Sequence, residues 1–265
     1  MFPSVSPARP TSTVRSHRVC ELRSTTVRFA ERVVLDRIDL VVGTSDRLAV
    51  IGDNGAGKST LLDLLAGAVT PVAGEARVVL PGGLAHASQA PRFPSGARVG
   101  DAVDLLLADL RTLEERIQRC SERLAVADEH SQPALLAELG ELTDAYEARD
   151  GYGVDRRVDA ALDQLGLGGL DRGRTVGELS GGERARLALA VALSANAELL
   201  LLDEPTNDLD GSALTWLESR LDAHRGAMVV VSHDRAFLDR LGLDTELRLE
   251  RDGRLLPTDR RAPGA

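Results

Sequence analysis

One segment constrains this chain more than any other. Gly52-Asp53-Asn54-Gly55-Ala56-Gly57-Lys58-Ser59 follows the β-branched, apolar run RLAVIG and leads into STLLDLLAG, whose apolar positions recur at helical spacing. Strand, glycine-rich loop and helix in that order place backbone N–H groups at a helix N-terminus, where the glycines let the loop wrap closely round phosphate groups. Lys58 is then positioned to reach the β- and γ-phosphates of a nucleotide and Ser59 to hold Mg²⁺, with Thr60 joining residues 52–59 as an ATP-binding candidate. Composition sharpens the point. Lys and Arg together number 32, yet Lys58 is the only lysine in the chain. A site that keeps Lys where every other cation is Arg needs a compact ammonium on a slim stem, not a wide planar fork.

The rest of the chain supports an α/β reading. Residues 18–51 carry strand patterns (VCELRSTTVRF, RIDLVV, RLAVIG) with turn signals at Gly43 and Ser45, and two short strands split by Pro81-Gly82-Gly83 fall within 76–88. The runs LLLLD at 199–203 and AMVVVS at 227–232 are apolar without alternation, which implies a mostly parallel sheet covered on both faces. Helices are expected over 155–166 and after LSGGE. Between 101 and 150 the pattern changes. Leu106, Leu110, Leu113, Ile117, Cys120 and Leu124 step by 4, 3, 4, 3 and 4, and Leu135, Leu139, Leu142 and Tyr146 step by 4, 3 and 4. These are coiled-coil seams, and with the connector ADEHSQP they predict an antiparallel helical hairpin. Its first helix, over 101–125, would be roughly 37 Å long and able to project from the body. Arg116, Arg119 and Arg123 share one stripe of it, but interspersed Glu114, Glu115 and Glu122 favour a solvated flank over a phosphate-facing edge.

A net charge of -9 argues against general nucleic-acid binding, so any RNA contact needs a local basic patch. Cys20 and Cys120 lie far apart in sequence and read as reduced thiols of a cytoplasmic chain. No stretch of about 18 apolar residues is present, so the chain is not expected to insert in a membrane. Residues 1–17 lack an apolar secretory core and read, with 256–265, as disordered tails flanking a single domain over 18–255.

Further chemistry lies downstream. A buried strand ending in Asp203-Glu204 places one carboxylate beside the metal and the next where it can polarise an attacking water, so Asp203 is a Mg²⁺ candidate and Glu204 a general base. Leu179-Ser180-Gly181-Gly182-Glu183 then precedes a helix. With the loop at 52–59, this resembles the ATP-binding cassette (ABC) ATPases over residues 20–250. The resemblance implies a P-loop NTPase cassette with a mostly parallel central sheet, an N-terminal antiparallel β subdomain and a helical subdomain carrying the inserted hairpin arm. It implies roles for Gln89 (the Q-loop, catalytic and on Mg²⁺), for Asp208 and Asp210 in the D-loop, for His233 as the switch on the γ-phosphate, and for Phe29 as the aromatic that stacks on adenine. It also implies that ATP held by one cassette is covered by Ser180, Gly181, Gly182 and Glu183 of another. One set of motifs therefore requires a second cassette, a homodimer mate or a separate chain.

Within that family the chain is most similar to the first nucleotide-binding domain of ABC-F translation and antibiotic-resistance proteins. The similarity rests on LSGGERARLALA, on Asp203-Glu-Pro-Thr-Asn-Asp-Leu-Asp210, and on the wide separation of Gln89 and Leu179, which makes room for the arm. It implies ATP hydrolysis to ADP and phosphate at the ribosome. The alternatives are the ATPase subunit of a membrane transporter with a separate permease, which leaves the hairpin unexplained, and a non-hydrolysing ATP-binding remnant, which Glu204 argues against.

Overall fold

A computed structural model describes residues 18–258. Strands β1 (Arg18–Phe29) and β2 (Arg32–Gly43) form a hairpin, and β4 (Ala73–Val78) adds to it in a three-stranded antiparallel sheet of order β2-β1-β4. β2 runs well beyond the expected RIDLVV. Its register against β1 shifts repeatedly, and Arg37 takes a left-handed φ of 48°, so the bulged strand loses the even alternation by which strands are read.

The second sheet has the order β5-β6-β7-β3-β8-β9, with β3 (Arg47–Ile51), β5 (Leu84–Ala87), β6 (Leu199–Asp203), β7 (Ala227–Val231) and β8 (Thr245–Leu249) parallel. β9 (Leu255–Thr258) closes it antiparallel to β8. The domain therefore runs past the expected limit at 255. Residues 256–258 are sheet rather than tail, because they pair with Glu246–Arg248. Residues 1–17 and 259–265 lie outside the described residues.

The unbroken apolar strands are explained by two cores, one on each face of this sheet. Leu48 and Val50, Leu199 and Leu201, and Val229 and Val231 pack with the antiparallel sheet and α1 (Lys58–Leu65). Their alternate neighbours Ala49 and Ile51, Leu200 and Leu202, and Met228 and Val230 pack under the helical layer. Period-two alternation thus separates two apolar environments, not core from solvent. The helical layer comprises α2 (Val99–Leu106), α5 (Val154–Gln164) and α6 (Gly181–Ser194), with α7 (Gly211–Ala223) and α8 (Arg235–Arg240) completing the chain.

The hairpin is present as α3 (Ala108–Ala125) and α4 (Gln132–Ala148). Its first helix is not the continuous rod expected over 101–125, because the chain bends at Leu107 between α2 and α3. α2 aims Val99, Ala102 and Val103 into the main core, whereas α3 follows the hairpin seam, and one straight helix cannot serve both directions. α3 alone is about 27 Å long. Its outer half has a core of its own, Cys120 with Leu135 and Leu142, separate from the main one, so the hairpin stands off the body. Arg116, Arg119 and Arg123 are exposed on it, with Arg119 near Glu115 and Arg123 3.4 Å from Glu138, as a solvated flank requires. Both cysteines are free and buried.

Candidate nucleotide site

The loops that follow β3, β6 and β7 meet at one edge of the parallel sheet and bound a cleft of about 750 Å³. Asn54, Gly55, Gly57, Lys58, Ser59 and Thr60 line it from the glycine loop, facing Gln89, Asp203, Glu204 and His233. Residues far apart in sequence converge because parallel strands deliver their C-terminal ends to one side. Gly57 takes φ 105°, and a Cβ there would lie 2.8 Å from Val34. The φ is left-handed and the space is closed, so only glycine fits. Gly52 passes so near the backbone that a Cβ would meet Leu249 O at 2.4 Å.

Lys58 is buried, and its ammonium donates to the carbonyls of Gly52 at 2.8 Å and Asp53 at 3.1 Å. These loop oxygens hold the cation over the space where phosphates would sit. A guanidinium is too broad to enter between them, which accounts for the lone lysine. Asp53 itself points outward to Arg251, and Ala56 is buried beneath the loop.

At the opposite wall, burial pushes the Asp203 carboxyl above its ordinary range, while a hydrogen bond from Ser59 pulls it back. A cation beside Asp203 would relieve that desolvation. The hydroxyl of Ser59, the amide of Gln89 and the carboxylate of Asp203 are hard oxygen donors on one cleft, a set that fits Mg²⁺ completed by water and phosphate oxygens. Glu204 takes a left-handed φ of 50° and is held there by its N–H donating to Val231 O at 2.8 Å. Its carboxylate accepts from the backbone N–H of His233 at 3.1 Å and lies 2.8 Å from His233 Nδ1. With the carboxylate as acceptor, Nδ1 is the donor of this contact and Nε2 is left for another partner.

The signature residues are not in this cleft. Gly181 and Gly182 line a second one, of about 480 Å³, with Arg184, Arg186, Pro205 and Asp208, and the two clefts share Gln89, Asp203, Glu204 and Asn207. Ser180 caps α6, its hydroxyl accepting from Glu183 N–H at 3.2 Å while Glu183 accepts from Ser180 N–H at 2.7 Å. The S-x-x-E spacing in LSGGE is thus also a capping box, a signal present in the sequence that the family resemblance overshadowed. Asp208 sits against Gly182, and Asp210 caps α7 through Ser212 and Ala213 N–H. Phe29 is 51% exposed at the end of β1 and does not line the cleft; Arg32 and Val34 of the same hairpin do. Nothing in the sequence singled out those two, whereas Asn207, at the junction of both clefts, opens the D-loop run Asn207-Asp208-Leu209-Asp210.

The family model described as ABC transporter matches residues 35–207, which takes in the glycine loop, Gln89, the signature and Asp203-Glu204. The chain belongs to the ABC transporter family. Two relatives bear out the ABC-F affinity expected from the arm and the D-loop. The tylosin resistance ATP-binding protein TlrC of Streptomyces fradiae is 54% identical over 235 residues, covering 88% of this chain and 42% of TlrC. The energy-dependent translational throttle protein EttA of Mycobacterium tuberculosis is 34% identical over 229 residues, covering 86% of this chain and 39% of EttA. The chain therefore spans less than half the length of the curated relatives it matches. Among solved structures, a dimeric ATP-binding cassette in a post-hydrolysis state with ADP and Pi aligns at TM-score 0.60 and 19% identity, covering 92% of this chain and 100% of that one. An ATP-binding subunit of an ABC transporter aligns at 0.59 and 20%, covering 89% and 88%. At these identities they establish the fold. Among the described residues no helix is long and apolar enough to cross a membrane.

Proposed function

We propose that this ABC-F cassette binds ATP with Mg²⁺, hydrolyses it together with a second cassette, and acts at the ribosome. The observation that carries the ribosomal reading is the 54% identity to TlrC across 88% of the chain, with EttA as a second relative named for translation. Lys58 and the N–H groups of residues 54–60 would hold the phosphates, with Phe29 offering its ring to the base. Bound Mg²⁺, held by Ser59, Asp203 and Gln89, would neutralise phosphate charge. Glu204 would turn from His233 to a water and take its proton as the water oxygen attacks the γ-phosphorus. The bond from that phosphorus to the bridging oxygen breaks, and the electron pair leaves on ADP. His233, freed from Glu204, would donate to the γ-phosphate. Ser180 and Gly182 of the second cassette would close the site.

Ribosome co-sedimentation of the Glu204→Gln protein at near-physiological salt tests this reading. ATP-dependent pelleting that ADP does not support is expected. No pelleting, with nucleotide-dependent pairing still seen in solution, would remove the ribosome and point to a permease or another partner.

A further inference from the structure

Beneath the parallel sheet, at the edge opposite the nucleotide cleft, lies a bowl of about 310 Å³. Ala148 at the end of α4, Asn196 before β6, and Arg220, His224 and Arg225 around the end of α7 contribute to its wall. Small side chains, Ala192, Ala197, Ala223 and Gly226, make it roomy. In a chain of net charge -9, several arginines gather around it. Arg157 feels the charges of Arg156 and Arg220, and His224 those of Arg47 and Arg220.

Part of this gathering is structural. Helices α6 and α7 end here, and their last carbonyls need donors. Arg157 serves Ser194 O at 3.0 Å and Arg149 O at 3.2 Å and pairs with Asp150, and Arg47 serves Leu221 O at 3.1 Å. Capping does not account for the remainder. Arg220 uses only one terminal nitrogen, on Leu193 O at 3.2 Å, and the rest of its fork is uncommitted. Arg225 is exposed, and among the described residues it makes no hydrogen bond or ion pair. The nearby carboxylate of Asp150 is already taken by Arg157. Like charges brought together on one wall repel, and a bound anion would relieve them.

We propose that the bowl is a phosphate-binding site for RNA backbone, in which Arg220 and Arg225 fork onto phosphodiester oxygens beside the base of the arm. The proposal rests on the ribosomal reading for its choice of RNA over other phosphates. Guanidinium groups bind phosphate oxygens in pairs, and a local cluster lets an acidic chain hold a polyanion. It also meets the need for a basic patch that the stripe Arg116, Arg119 and Arg123 does not meet, since Arg119 and Arg123 face carboxylates.

The test is fluorescence anisotropy of a labelled single-stranded RNA of ~20 nucleotides against the full chain, from about 50 to 200 mM salt. Arg220→Gln with Arg225→Gln should weaken binding roughly tenfold or more and flatten the log–log salt slope by about 1.4, the loss of two single-strand phosphate contacts. Arg116→Gln with Arg119→Gln should change neither, and the Lys versions of 220 and 225, which keep the charge but lose the fork, should recover the salt slope and only part of the affinity. Unchanged melting temperature separates this from misfolding, and because Arg225 is exposed, Arg225→Gln alone provides a fold-neutral half-effect. No binding by the parent chain, or equal binding by the double Gln variant, overturns the proposal. Binding of inorganic phosphate that the double Gln variant abolishes, with RNA binding left unchanged in that variant, would also overturn it, by making the bowl a free-phosphate site. Ribosome pelleting is read separately: its failure removes the ribosomal reading while the anisotropy still decides the bowl.

Discussion

Glu204 occupies a backbone region that glutamate rarely adopts, and such strain persists only where the surroundings enforce it. Here Val231 O and the His233 N–H hold it from two sides. The arrangement makes a sharp prediction. Glu204→Gln should keep ATP binding and lower turnover by about 10² to 10⁴, the range expected for a lost general base. Single-turnover phosphate release checks it, and ordinary turnover in the variant would remove Glu204 from that role. Lys58 yields a second prediction. Because its ammonium sits between two carbonyls, Lys58→Arg should lose ATP affinity as fully as Lys58→Ala, while melting near the parent temperature; titration with a fluorescent ATP analogue measures it. Two partly buried histidines make stability depend on pH just below neutrality. Burial lowers the pKa of His86 and His224, so both are neutral in the fold and bind protons on unfolding. The unfolded chain then takes up more protons, and stability from these groups, complete above about pH 6.5, falls as pH drops below it. Melting curves from neutral to mildly acidic pH should slope downward, and more gently in His86→Gln with His224→Gln. The glycine loop, Lys58, Asp203 and Glu204 were legible because each residue type answers a local chemical demand. Arg32 and Val34 were not, since they line the cleft only through how the hairpin falls over it.

Elements were legible where periodicity was local. The parallel strands, the arm's two seams and the helix after LSGGE all stood out for that reason, whereas the bend at Leu107 did not. The apolar steps continue through the bend unchanged, and only the divergence of the main core from the hairpin core breaks the helix. The β2 bulge and the short β9 were hidden likewise, because pairing rather than pattern defines them. The base of the arm is fixed by one buried side chain. Arg149, only 5% exposed, reaches Asp109 at 3.0 Å and Ala195 O at 3.3 Å, and so ties the end of α4 to the start of α3 and the end of α6. Arg149→Ala should destabilise the chain by about 2–3 kcal/mol, mostly by removing the counter-charge of Asp109, which keeps only the N–H groups of Leu84 and Leu110, and by leaving the buried Ala195 carbonyl without its donor. Asp109 is more than a third exposed, which keeps the figure below that of a fully buried pair. Denaturant melts give the total. Hydrogen exchange should show the loss centred on α3 and α4 while β6 and β7 stay protected; uniform loss across the sheet would mean that Arg149 belongs to the body rather than to the arm.

At the scale of the whole molecule the glycine loop and the signature lie apart. Lys58 and Ser59 face one cleft and Gly181 and Gly182 another, so in one copy the signature does not close over the loop. Ser180 accepts one hydrogen bond in capping α6, and its hydroxyl proton is free to donate outward, as closure over a neighbour's phosphate would need. If two copies pair through an isologous, two-fold interface, each supplies the loop to one site and the signature to the other. That geometry can be tested by mixing. A Lys58→Ala chain keeps its signature, a Ser180→Arg chain keeps its loop, and each alone should be inactive because both of its sites are broken. In an equal mixture about half the dimers pair one chain of each kind, and each such dimer contains one intact site, so activity should return to roughly a quarter of the parent's. Recovery should rise and fall with the mixing ratio, peaking at equality. If both variants are inactive alone and inactive mixed, the cassettes do not complete each other, and the second half of the site comes from a different cassette. If Ser180→Arg is active by itself, closure does not pass through this serine, and α6 capping is its whole contribution.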